Sequence, residues 1–306
     1  MELKHVFAAG LLVAVATLGG GCGGQSKTTA AAPSGVLQVV AAENFWGSLA
    51  SQLGGNKVRL ESVITSPATD PHDYEPTAAD ARTLAGAQMV IENGIGYDPW
   101  AEKLAAANPV SGRVVLDVGD LVGIKAGGNP HRWYSPRDVQ LVIDAIVRNY
   151  DKLEPKNSGY FARQKTRFET NGLGQYKRLI ATIKRKYRGM PVGASESIFA
   201  PLAQALGLTL LTPPNFLKAI SEGSDPTAAD KTTIDRQIAE KKLKVWVFNS
   251  QNGTPDVKRI TGAARKHGIP VTTITETLVP ASVSFQDWQS RELRALAAAL
   301  AQATGR

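Results

Sequence analysis

Residues 58–92 read VRLESVITSPATDPHDYEPTAADARTLAGAQMVIE, and the order of signals within them decides the fold. Residues 58–65 form a strand pattern. A loop with three prolines follows, Pro67 to Pro76 by position, and carries His72. Thr77-Ala78-Ala79-Asp80 is a capping box in its Thr-x-x-acid form and starts a helix that runs to Ala85. Residues 89–92 are a strand again. Strand, helix, strand in this order predicts an α/β fold with mostly parallel sheets.

The same alternation extends outward. On the amino side lie a strand at 36–40 and a helix at 44–53 that stops at Gly54-Gly55. On the carboxyl side a strand at 114–118 precedes a second proline-histidine loop, Asn129-Pro130-His131-Arg132-Trp133-Tyr134. Ser135-Pro136-Arg137-Asp138 then supplies an N-cap, a proline at the first helical position and an acid at the third. Val139, Val142, Ile143, Ile146, Tyr150 and Leu153 recur at helical spacing behind it. Residues 158–188 are polar and basic, with Tyr176, Ile180, Ile183 and Tyr187 as one apolar stripe and a possible kink at Gly172 and Gly174. The second half repeats the style, with strands at 192–194, 208–211, 245–248 and 271–274, a helix from Asp225-Pro226-Thr227 to Glu240, and a terminal helix at 288–302. No tandem repeat of fixed period is present, which excludes a solenoid. The expected organisation is a lobe at 36–156, a linking helix at 157–188 and a second lobe at 189–306.

The 306 residues are 43% hydrophobic and 20% charged, which suits a folded protein with ample core and two domains. The N-terminus reads as an export signal over residues 1–21: Lys4, then an apolar run at 6–18 too short to span a bilayer. Leu18-Gly19-Gly20-Gly21-Cys22 follows, and Cys22 is the single cysteine, so no intramolecular disulfide is possible. A lone cysteine after small residues resembles a bacterial lipobox, which implies cleavage before Cys22 and its acylation. Gly19 departs from the leucine usual at that position. Residues 22–35 read as a flexible tether. The net charge is +8, clustered at Lys177-Arg178 and Lys184-Arg185-Lys186-Tyr187-Arg188. In an exported protein this argues against nucleic acid as the partner and for a solvated helix face, with attraction to anionic lipid as an alternative.

The candidate chemistry lies at the carboxyl ends of strands, where open α/β sheets collect their ligands. His72 follows one strand and His131 another. Each imidazole sits on a loop stiffened by the preceding proline, which fixes φ and restricts its neighbour. In the second half Glu196 follows the 192–194 strand and Glu276 follows the 271–274 strand. Two histidines from one lobe and two carboxylates from the other would balance one divalent cation. Without metal the two anions repel. Nitrogen and oxygen donors suit zinc, manganese or ferrous iron, and the lack of cysteine and methionine ligands argues against cuprous copper. His267 reads as a helix C-terminal residue and His5 belongs to the signal.

Asn44-Phe45-Trp46, Asp70-Pro71-His72-Asp73-Tyr74-Glu75-Pro76, Asn93-Gly94, Asn129-Pro130-His131-Arg132-Trp133, Glu196 with Phe199, and Thr275-Glu276-Thr277 occur in an order that resembles the substrate-binding proteins of bacterial zinc and manganese ABC importers. The resemblance covers nearly all of the chain after the signal. It implies two α/β lobes joined by one long helix, with the metal in the cleft between them. It further implies His72, His131, Glu196 and Glu276 as the ligands, Zn2+ or Mn2+ as the transported ion, an ABC permease in the cytoplasmic membrane as partner, and a lipid-anchored, extracytoplasmic monomer. Glu276 stands where the family usually has aspartate, and no histidine-rich loop precedes His131. Two other readings compete. In one, the protein is a metallohydrolase with Glu75 or Asp73 as base, which needs an open coordination position. In the other, the metal merely staples a surface adhesin.

Overall fold

The computed structural model describes residues 36–306. The expected signal, Cys22 and the tether lie outside the described residues. The first lobe alternates β1 (Leu37–Glu43), α1 (Asn44–Gly54), β2 (Val58–Ile64), α2 (Ala78–Ala85), β3 (Met89–Glu92), α3 (Pro99–Ala107), β4 (Val114–Asp117) and α4 (Val118–Val122), followed by α5 (Pro136–Leu153). The connection is α6 (Ser158–Arg167), one π-helical turn at Phe168–Gly172, and α7 (Gly174–Tyr187). The second lobe runs β5 (Pro191–Ala194), α8 (Ala200–Leu206), β6 (Thr209–Leu210), α9 (Pro214–Ser221), α10 (Ala228–Ala239), β7 (Val245–Asn249), α11 (Pro255–Lys266), β8 (Val271–Ile274) and α12 (Phe285–Thr304).

Each lobe has one four-stranded sheet, in the orders β2-β1-β3-β4 and β6-β5-β7-β8, and every pairing is parallel. The two sheets therefore share one topology, with the first strand of each lobe second from the edge. All the strand carboxyl ends that carry candidate residues open toward the cleft.

Local signals set the helix starts. Thr77 accepts from the Asp80 amide and Asp80 returns to the Thr77 amide, completing the capping box. Ser135 and Thr227 cap α5 and α10 by accepting from the amides of Asp138 and Asp230. The kink expected at Gly172 and Gly174 is the π-turn, where the Leu173 amide reaches back to Phe168 O at 2.8 Å. A Cβ on Gly172 would lie 2.9 Å from the Phe168 ring, so a larger residue would crowd that ring where the helix widens into the π-turn. Short helices α3, α4, α8 and α9 go beyond the sequence reading, while α11 ends at His267 as the reading of that residue expects.

The main core crosses from one lobe to the other. Phe45 and Trp46 on α1, Trp133 and Tyr134 after the second histidine loop, and Phe285 and Trp288 on α12 belong to one buried cluster, with Phe45 stacked on Trp133 at 4.0 Å. The C-terminal helix α12 packs on α7 and touches α1 of the first lobe. The Tyr134 hydroxyl lies 2.8 Å from Thr275 O and 2.6 Å from Glu292 Oε2, sharing its one proton between them and reaching from one lobe into the other. Among the described residues no helix is long and apolar enough to cross a membrane.

Candidate metal centre

His72 sits in the loop after β2, His131 in the loop after β4 and α4, Glu196 two residues past β5, and Glu276 two residues past β8. Parallel pairing puts the strand ends that carry these residues on one side of each sheet, where open α/β sheets collect ligands. Tyr97, from the turn after β3, lies at its centre. Its ring meets the His72 ring edge-on with centroids 4.7 Å apart and the His131 ring at 6.1 Å. Its hydroxyl donates to Glu276 Oε2 at 3.0 Å. Glu196 is close enough to Glu276 for the two charges to oppose each other.

His131 is 1% exposed. Its Nδ1 lies 2.9 Å from Asn129 Oδ1, an oxygen that also accepts from the His131 amide. An amide oxygen can only accept, so Nδ1 carries the proton and Nε2 presents its lone pair. That Nε2 is buried and has no hydrogen-bond partner. Burial holds the imidazole well below its ordinary pKa, and the charges of His72 and Arg132 add to this. The ring is therefore neutral at physiological pH.

The carboxylates are held by amides. Asn252 Nδ2 donates to Glu196 Oε2 at 2.8 Å, while Glu196 Oε1 is buried and unpartnered. Asn249 Nδ2 donates to Glu276 Oε1 at 3.0 Å. Burial pushes both carboxyls upward, and for Glu196 the charge of Glu276 adds to it. Asp70, two residues before His72, contributes further negative potential to both.

Direct bonds close the cleft around these groups. Asn129 Nδ2 donates to Ser197 O at 2.7 Å, and Gln251 Nε2 donates to Pro67 O at 2.8 Å. The first-lobe scaffold is itself braced. The Asn93 and Gly94 amides donate to the buried Asp98 carboxylate, and Asn93 Nδ2 donates to Pro130 O at 3.0 Å, immediately before His131. Gly94 has φ +67°, and a Cβ there would fall 2.4 Å from Asp117 Oδ1, so the turn needs glycine.

These contacts bring His72, His131 and Glu276 around Tyr97, with Glu196 near Glu276. Among the described residues, no three His, Cys, Asp or Glu side chains stand at mutual metal-ligand spacing. The sequence reading missed Tyr97, Asn249 and Asn252. The spacing of the loops carries no sign of them, because each meets its carboxylate only through the tertiary fold.

Residues 39–299 match the family model of ZnuA, described as zinc-uptake complex component A, periplasmic. The chain is 22% identical over 264 residues to the metal ABC transporter substrate-binding lipoprotein FimA of Streptococcus parasanguinis, covering 80% of this chain and 82% of FimA. It is 22% identical over 247 residues to the manganese ABC transporter substrate-binding lipoprotein PsaA of Streptococcus pneumoniae, covering 74% of this chain and 77% of PsaA. The solved periplasmic zinc-binding protein TroA of Treponema pallidum superposes with a TM-score of 0.71 at 20% identity, covering 87% of this chain and 99% of TroA. With residues 39–299 matched by the family model, the chain belongs to the ZnuA family of metal ABC transporter substrate-binding proteins.

Proposed function

We propose that the chain captures one divalent transition metal, zinc or manganese, between its lobes and delivers it to an ABC permease. His72 and His131 supply nitrogens and Glu196 and Glu276 supply oxygens. The observation that carries this reading is a pair of buried atoms without partners, His131 Nε2 and Glu196 Oε1, in the same cleft. The two loops that carry them meet through the Asn129–Ser197 bond, and each unpartnered buried atom is costly unless something with positive charge joins it. Asn129 fixes the tautomer that a metal-ligating imidazole needs. Capture proceeds by exchange: Glu276 gives up the Tyr97 hydroxyl, and the carboxyls give up the protons that burial favours. Two carboxylates then neutralise the ion, which removes their mutual repulsion. Affinity accordingly falls as pH drops through the raised carboxyl range, with His131 contributing little to that loss.

A shell filled by four protein donors leaves no position for a reacting substrate, which suits a carrier rather than a catalyst. FimA and PsaA are lipoproteins by name, and Cys22 with its preceding small residues is the position at which this chain would be acylated. The protein then works as a monomer held at the outer face of the cytoplasmic membrane.

Elemental analysis of protein purified without added metal, followed by zinc and manganese competition, tests the reading. At metal about 100-fold above Kd, binding adds about 2.7 kcal/mol to stability and raises Tm. His131→Ala is expected to abolish that rise. A variant that keeps the full rise, or a wild-type chain that binds neither ion, overturns the ligand set.

A further inference from the structure

The helix that joins the lobes carries a charge pattern that metal capture does not use. On α7, Lys177, Arg178, Lys184 and Arg185 occur at i, i+1, i+7 and i+8, which places them on one helix face. All four are exposed. Ion pairs are absent for each of them among the described residues. Exposed Lys186 and Arg188 flank them, and no acid occurs from Gly174 through Ser195. The opposite face buries Tyr176, Ile183 and Tyr187.

The position of this face is fixed by the strands. The Tyr160 hydroxyl on α6 accepts from the Asn56 amide at 3.2 Å, just before β2 begins, and Leu37 pairs with Val58 at that same end. At its far end α7 leads into the start of β5, where Thr209 of β6 bonds back to Met190 O. The linking helices therefore run along the amino ends of both sheets, while the candidate metal site lies at the carboxyl ends. Beside the basic face, α5 and α7 enclose an apolar groove of ≈ 290 Å³ lined by Val139, Leu173, Tyr176 and Ile180 and rimmed by Lys177 and Lys184.

We propose that, between deliveries to the permease, this face of α7 docks on anionic lipid head groups and holds the body with its metal cleft open to the surrounding solution. The proposal rests on the membrane-anchored reading above. Charge complementarity favours an anionic surface. The apolar groove between two lysines favours an amphiphile over a nucleic acid, whose phosphates need no such groove. The first strand also enters the body at this end, so an anchor placed before residue 36 joins the body on the side that docks.

The test uses the unacylated chain from residue 22 with Cys22→Ser, and vesicles of phosphatidylcholine alone or mixed with phosphatidylglycerol. Sedimentation with the mixed vesicles only, and release by salt, is expected. Lys177→Gln/Arg178→Gln/Lys184→Gln/Arg185→Gln should lower that partition about tenfold or more. Lys125→Gln/Lys258→Gln, exposed positions beyond the carboxyl ends of β4 and β7, should leave it unchanged. Equal binding to both vesicle types, no binding, an unaffected quadruple variant, or binding to nucleic acid without binding to vesicles overturns the proposal. The metal-dependent rise in Tm, measured without vesicles, should be the same in the quadruple variant and the parent. Its absence in the parent would count against metal capture rather than lipid docking.

Discussion

Tyr97 occupies the place where the candidate ligands meet. Burial and the charge of Glu276 push its hydroxyl well above the ordinary phenol range, so it remains a donor to that carboxylate. Leaving a buried acceptor without its donor costs about 1–3 kcal/mol. Tyr97→Phe should therefore lower the stability of the metal-free protein by about that amount, measured by urea unfolding. Calorimetric titration should show metal binding undiminished, because the lost donor competes with the ion for Glu276. Weaker binding would mean that the phenol helps to hold the ion. At this scale the sequence was legible only where residue type advertises its chemistry. The two Pro-His loops announce themselves through scarce side chains on stiff backbone. A tyrosine in Gly94-Ile95-Gly96-Tyr97 does not, since its partner Glu276 lies 179 residues away.

At the scale of elements, β1 and β3 end in buried acids. Glu43 is wholly buried with both carboxylate oxygens unpartnered, and it lies against Asp98. Glu92 is 4% exposed, and burial, with the charges of Asp98 and Asp117 adding, pushes its pKa up to about 8. A carboxyl whose pKa rises on folding keeps more protons in the folded state. Its contribution is fully present below the unfolded pKa and is lost as pH rises through about 8. Stability should therefore decline from mildly acidic pH toward pH about 8. Glu92→Gln should flatten that slope and stabilise the protein by on the order of 2 kcal/mol at the alkaline end. Denaturant melts at several pH values check this, and an unchanged slope would exonerate Glu92. Helix starts were legible at this scale because a cap is a local bond, as Thr77, Ser135 and Thr227 show. Helices α3, α8 and α9 were not, because they are short and carry proline in the first two positions with no side-chain cap before it.

At the scale of the molecule, the two lobes share a continuous apolar core. Phe45, Trp133, Tyr134, Phe285 and Trp288 pass it from one to the other. Residues 36–306 should then unfold in one cooperative transition by scanning calorimetry, and metal should move that single peak upward. Two resolved transitions would show that the lobes are independent. The shared core also leaves little room for a wide hinge, so metal entry is expected to move the histidine loops and side chains more than the lobes.

Alternating strand and helix patterns, capped starts and two proline-histidine loops follow from local chemistry, so the α/β class, the glycine-marked kink and the four candidate residues were readable along the chain. The common strand order of the two sheets, the aromatic core that joins them and the amide and phenol donors around Glu196 and Glu276 were decided only in three dimensions. Those features depend on which distant segments pack together, and hydrophobic burial selects that pairing without leaving a periodic trace in the chain.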